Sequence, residues 1–294
     1  MNAIYIEITN ACNLNCSFCP CGKTGFIRDF MNTPLFERCI AESASITENV
    51  YFHILGEPTL HPGFGLYLKK LEKTSLKLNL TTNGTTIIRT GKSILASPAV
   101  RQVNFSTHAY AELPQDQAQK HLQNVLDFCK LAKAIRPDLY INLRLWNVGD
   151  NSCDSWNQTF TERIQATFTT AAELSLNHFC SRHKSFLLEG RIYLHQDSRF
   201  EWPELDERRK NKDERNATGT CRALDTHVGI LHDGRVVACC LDHSGQITLG
   251  KIQEQSLTEI LESPLAKNIR EGFKKHELRH PFCQNCSFCK RFGK

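Results

Sequence analysis

The chain has 294 residues, 40% hydrophobic and 23% charged, with a formal net charge of +5. This composition excludes a disordered or fibrous chain, and no apolar run is long enough to span a membrane. The opening "MNAIYIEITNACN" has no basic start, apolar core or cleavage site, so no signal peptide is expected and the cytoplasm is the default location.

The first strand candidate is "AIYIEIT" (3–9), followed at once by a cysteine-rich loop. Further strand candidates are "VYFHIL" (50–55), "LKLNLTT" (76–82), "RQVNFST" (101–107), "LYINLRLW" (139–146) and "GRIYLHQ" (190–196), rich in β-branched and aromatic residues. Helical periodicity is clearest over 115–135 and 160–174. Strand–helix alternation predicts an α/β fold with a parallel sheet, a partial (β/α)6 TIM-like barrel. Residues 204–216 are almost all charged or polar, with signs mixed, and read as a solvated linker. This places a boundary near residue 215, with a core domain over 1–215 and a small α+β domain over 216–294. The second begins with two strand runs flanking Asp233-Gly234, a hairpin signal. Ser256 and Glu259 are spaced as a capping box, and Pro264 opens a further helix.

Fourteen cysteines in a reducing compartment point to metal or redox chemistry rather than disulfides. Cys39, Cys129, Cys153 and Cys180 are scattered and read as small buried hydrophobes. Cys12, Cys16 and Cys19 form C-x3-C-x2-C directly after the first strand, on the barrel face where active sites form. Three thiolates are one short of a closed zinc or iron–sulfur site. Cys21, one residue beyond Pro20, is a poor tetrahedral partner. "CGKTG" (21–25) is no phosphate loop, because Ser17 stands where that motif needs glycine. The late cysteines fall as Cys221-x17-Cys239-Cys240 and Cys283-x2-Cys286-x2-Cys289. By spacing alone they suit either a zinc ribbon or an iron–sulfur cluster.

The triplet, with Phe18 at its aromatic position, resembles the signature of radical S-adenosylmethionine (radical SAM) enzymes. The resemblance implies that Cys12, Cys16 and Cys19 hold three irons of a [4Fe–4S] cluster whose fourth iron binds SAM. Reductive cleavage of SAM then gives a 5′-deoxyadenosyl radical that abstracts a substrate hydrogen. "LGEPTLHP" (55–62) is similar to the family's GGEP motif. Leu55 replaces the first glycine, so Gly56, Glu57 and Pro58 carry over as SAM contacts. "TTNG" (81–84) matches the third strand end with Asn83, while Ser106 and Arg144 fit SAM-contacting positions on the fourth and fifth strands. The region after residue 220 resembles the SPASM/twitch extension, in its single-cluster form. That implies one auxiliary [4Fe–4S] cluster on Cys221, Cys239, Cys283 and Cys286, acting as an electron relay. Cys289 is left over, or it displaces Cys283.

The resemblance leaves the substrate open between a peptide and a small polar metabolite. It implies an electron donor such as flavodoxin or ferredoxin, and no membrane partner. Sulfatase-maturing relatives carry an Asp base directly after the second auxiliary cysteine. Here Cys240 stands there, with Asp242 two residues on. Asp242 and His108 are the acid–base candidates, though a core or solvated histidine is the competing account of His108. Trp202 in "FEWP" lines the pocket or is simply packed. The alternatives are an RNA-modifying radical SAM enzyme, motivated by the mild positive charge, and a zinc-stabilised binding module without catalysis.

Overall fold

Ile4 and Ile6 of β1 (Ala3–Ile6) are fully buried while Ala3 and Tyr5 are half-buried, so the strand has one face in a core and one face open. β2 (Asn49–Phe52) repeats the pattern and lies parallel to β1, with Tyr5 opposite Tyr51. These strands belong to a computed structural model that describes residues 1–22, 27–168, 184–199, 201–203 and 217–292. The chain forms two compact units, Met1–Lys77 with Phe200–Lys294, and Leu78–Arg199. The expected linker at 204–216 lies outside the described residues.

In the first unit β1 has a second parallel neighbour, β8 (His227–Ile230), registered Tyr5 to Gly229. β8 turns antiparallel into β9 (Arg235–Val237), which pairs with β10 (Thr248–Lys251). The expected hairpin is present, with Gly234 at φ +87°. β10 was not expected, being four residues long and polar at its ends. The apolar face of β1 and β2 packs under α1 (Thr33–Ala44) and α2 (Phe64–Leu71), where Phe36 stacks on Tyr67 at 3.9 Å. Asn32 caps α1 by accepting from Leu35 N–H at 3.0 Å. Further on, α6 (Leu257–Leu261) starts with the expected Ser256–Glu259 capping box, and α7 (Pro264–Lys274) starts at Pro264 under a Ser263 cap. A short α8 (Pro281–Asn285) carries Cys283.

In the second unit β3 (Lys77–Thr82), β4 (Val100–Phe105), β5 (Tyr140–Leu145) and β7 (Ile192–Gln196) run parallel in that order. β6 (Ser185–Glu189) adds an antiparallel edge to β7. α3 (Ile87–Ala96), α4 (Gln115–Ile135) and α5 (Asp154–Thr167) complete it. α4 has the expected bounds. α5 begins earlier than its periodicity predicts, because its first turn is polar apart from Trp156, whose indole N–H bonds the Thr107 carbonyl at 3.1 Å. The rest of the 160–174 expectation, from 169 on, lies outside the described residues.

Candidate functional site

Cys12, Cys16 and Cys19 are half-exposed on one loop after β1. The loop is tightened by Cys19 N–H on the Cys16 carbonyl at 3.0 Å, and Leu14 N–H points at the Cys12 sulfur at 3.4 Å. Cys12 and Cys19 pack against a small cluster of Cys21, Leu55 and Trp202. Trp202 is therefore a packed ring, edge-on to His243 at 5.4 Å. Cys21 is a strut. Its sulfur takes Gly56 N–H at 3.4 Å, and its thiol faces the Asn10 carbonyl at 3.7 Å, so it ties the loop after β1 to the loop after β2. The neighbouring Cys19 thiol and burial push the Cys21 thiol far up, which keeps it a protonated donor.

Gly56 lies where those two loops touch. At φ +73° it takes a left-handed backbone, and a Cβ would stand 2.3 Å from the Thr9 carbonyl oxygen. Glu57 N–H bonds the Ala11 carbonyl at 2.8 Å, and its buried carboxylate accepts from Thr59 N–H at 3.0 Å and Thr59 Oγ1 at 2.5 Å. Pro58 opens the short 3₁₀ turn Pro58–Leu60. A residue that no motif singled out organises this region. Glu7, 1% exposed, accepts Leu55 N–H at 3.0 Å with one oxygen and meets His232 Nδ1 at 2.7 Å with the other. Burial alone would lower His232, and the hydrogen bond and charge of Glu7 more than reverse it, raising its pKa.

The late cysteines converge. Cys221, Cys239, Cys240, Cys283, Cys286 and Cys289 line one cavity of about 150 Å³, walled by rings that include Tyr5 and Phe282. Burial raises all of these thiols for which a shift is resolved, Cys240 to about 12 and Cys286 to about 11, and the sulfurs raise one another. A group that needs thiolates must therefore displace protons to bind here. The donor set and the room fit an iron–sulfur cluster. Among the described residues no three His, Cys, Asp or Glu converge on a single metal-ion position. A structural zinc draws four ligands to about 2.0–2.3 Å. Asp242 is fully buried, its two oxygens accepting from Gln246 and Ile247 N–H at 2.7 Å each. It holds the loop after Cys239 in shape.

In the second unit the remaining candidates sit at or beyond strand ends. Asn83 accepts from Thr85 N–H and Oγ1 at 3.0 and 2.7 Å, and its carbonyl takes the Tyr110 hydroxyl at 2.5 Å. Ser106 N–H bonds the Thr82 carbonyl at 2.9 Å. Arg144 lies over the Trp146 ring at 4.6 Å and reaches Thr81 Oγ1 at 3.5 Å. The Arg144 carbonyl receives Thr107 Oγ1 at 2.8 Å and His108 Nδ1 at 3.1 Å. A carbonyl only accepts, so Nδ1 carries the proton and the basic lone pair is on Nε2. Burial pulls His108 down to about 4, so it is neutral and a feeble base near pH 7. One face of β4 and β5 is polar and in register: Asn142 and Gln102 amides both donate to the buried Asn104 Oδ1 at 2.8 Å.

Residues 6–145 match the radical SAM superfamily, and residues 221–287 match the SPASM iron–sulfur cluster-binding domain. A curated protein of Pyrococcus furiosus, the tungsten-containing aldehyde ferredoxin oxidoreductase cofactor-modifying protein, is 32% identical over 108 residues. That match spans 36% of this chain and 30% of the relative's length. The fold is shared with BtrN in complex with AdoMet and 2-DOIA (TM-score 0.54, 15% identity, covering 97% of this chain and 92% of that one). It is shared with anSMEcpe bound to AdoMet and the Cp18Cys peptide (0.58, 16%, 98% and 88%). It is also shared with Streptococcus suis SuiB bound to S-adenosylmethionine (0.61, 18%, 98% and 71%).

Proposed function

We propose, for a chain that belongs to the radical SAM superfamily and carries a C-terminal SPASM domain, that it modifies a peptide or a small polar metabolite by hydrogen abstraction. It is an enzyme whose cofactors are a [4Fe–4S] cluster with SAM and auxiliary iron–sulfur. When bound, the cluster and SAM supply the 5′-deoxyadenosyl radical. The chain supplies the rest. Cys12, Cys16 and Cys19 would hold three irons on the loop after β1. Gly56 and Glu57 bring the β2 loop against it, held there by Cys21 and Glu7. Asn83, Ser106 and Arg144 are proposed as further SAM contacts. In this reading residues 1–215 form the radical SAM core and 216–294 the auxiliary domain.

The observation that carries the proposal is the C-terminal cavity, where cysteines from three separate segments meet around one space. It supports a single auxiliary [4Fe–4S] cluster with Cys221, Cys239, Cys283 and Cys286 as ligands. The half-buried polar residues Gln102, Asn142 and Arg144 of β4 and β5 support a substrate rich in hydrogen-bonding groups. The ligands of the relatives agree in kind, a small molecule on BtrN and peptides on anSMEcpe and SuiB. A cytoplasmic setting and a flavodoxin or ferredoxin donor complete the reading. No helix among the described residues is long and apolar enough to cross a membrane.

Anaerobic reconstitution tests the proposal: about eight irons per chain are expected, with reductive cleavage of SAM to 5′-deoxyadenosine. Stoichiometric zinc in place of iron, or cleavage that survives Cys16→Ala, would overturn it. Deuterium transfer from candidate substrates into 5′-deoxyadenosine then identifies what the radical attacks.

A further inference from the structure

Glu7 directly follows β1, and its N–H continues the β1–β8 pairing onto the Ile230 carbonyl at 2.9 Å. Its side chain is buried, where a carboxylate is tolerated only if partners bond it. Two partners do so. Leu55 N–H, in the β2 loop next to Gly56, donates to Oε2 at 3.0 Å. His232 Nδ1 meets Oε1 at 2.7 Å, and His232 N–H points at the same oxygen from 3.5 Å. A carboxylate oxygen only accepts, so Nδ1 carries a proton at this contact.

The two partners come from opposite ends of the chain. Leu55 lies in the stretch that matches the radical SAM superfamily, and His232 in the stretch that matches the SPASM domain. His232 is delivered by the β8–β9 turn, which Leu231 N–H on the Arg235 carbonyl and Gly234 N–H on the Leu231 carbonyl close at 2.9 Å each. The ring is 16% exposed, enough to exchange its proton with water. The charged groups around it are Glu7 after β1, Asp233 in the same turn and Asp29 in the loop before α1. Asp233 is itself paired with Arg235 at 2.7 Å.

We propose that His232 is a positioning residue for SAM: through Glu7 it fixes Leu55, and with it the turn at Gly56 and Glu57, so that SAM binds more tightly when the His232 ring is protonated. This rests on the SAM-site reading above. The protonated ring gives the buried carboxylate a charged donor. The neutral ring donates more weakly and leaves a buried charge uncompensated, which favours opening of the pair and release of Leu55. The folded pKa of His232 lies above the ordinary 6.5, so SAM affinity is highest below it and falls as pH rises through it. The C-terminal segment thereby acts on the SAM turn without touching SAM.

The test uses the reconstituted full chain and SAM itself, titrated by anaerobic calorimetry. If the wild type binds no SAM, the SAM-site reading fails and this proposal falls with it. If it binds, His232→Ala should weaken affinity about tenfold, and His232→Gln should recover most of the loss, because its amide N–H can reach Glu7. Unchanged affinity in His232→Ala overturns the proposal and leaves the SAM site standing. Near neutral pH, titrations in two buffers of different ionisation enthalpy should show the wild type taking up a fraction of a proton per SAM more than His232→Gln does. A purely structural His232 would move no proton, and equal uptake in the two chains sinks the proposal. The wild-type chain without clusters gives a reading that no variant can confound. As pH rises through the His232 range, protection of Leu55 N–H against hydrogen exchange should fall while that of Phe36 N–H in α1 holds. Protection that stays parallel at the two positions counts against the link and overturns it.

Discussion

Gly56 shows how little freedom a single residue has at this site. Replacement by Ala keeps the φ of +73° strained and drives a Cβ against main chain rather than against a flexible side chain. Gly56→Ala should cost roughly 2–4 kcal/mol in denaturant unfolding and weaken SAM binding measured by calorimetry. Two histidines should tilt stability in opposite directions with pH. His108 is held down to about 4 by burial, so its contribution is whole above its unfolded pKa of about 6.5 and is lost as pH falls towards 4. His232 is raised in the folded chain by Glu7, so its contribution is whole below that unfolded value and is lost as pH rises through the folded one. Unfolding free energies across pH 4–9 check both: His108→Gln should flatten the acid limb, and His232→Gln the limb above about pH 6.5. That Cys12, Cys16 and Cys19 share one loop, and that Gly56 needs to be glycine, was legible because each pattern lies within a few residues. Glu7 and His232 were not, since the pair is separated by 225 positions and neither residue type is unusual where it stands.

Elements with strong local signals appeared where periodicity put them. α4 is long and amphipathic, and the caps at Ser256 and Ser263 are written in neighbouring residues. Ser263→Ala should cost about 1 kcal/mol, seen as a lower urea midpoint, because Ala266 N–H loses its acceptor. Gly234 gives a contrasting case. Its hypothetical Cβ would meet the tip of Gln253, which can swing aside, so only the left-handed φ is at stake. Gly234→Ala should therefore cost only about 1–2 kcal/mol in the same assay. β6 and β10 carried no sequence signal because each is short and gains its stability from one neighbour, β7 or β9, rather than from its own pattern. The parallel pairing of β8 with β1 was hidden for a different reason. Nothing in "HVGI" names its partner.

Across the whole molecule, the α/β class and the parallel strands followed from alternation, whereas the two compact units cut across the chain order. Cysteines 221, 239, 283 and 286 reach one cavity from three segments, so a cluster held as proposed would cross-link them much as a disulfide closes a loop. Chelating the iron should lower the thermal midpoint and expose residues 217–292 to protease before residues 78–168. Equal protection in both states would contradict that role.

The pairing of β1 with β8 also bears on how the chain is made. Leu78–Arg199 is an uninterrupted stretch that can collapse as soon as it leaves the ribosome, whereas β1 waits for Ile230 before its second edge is covered. Throughout that interval the first strand, with Cys12, Cys16 and Cys19 just behind it, has only β2 beside it. β1 is thus finished only after residue 230 has been made, and a ribosome that stalls before it leaves that strand edge open.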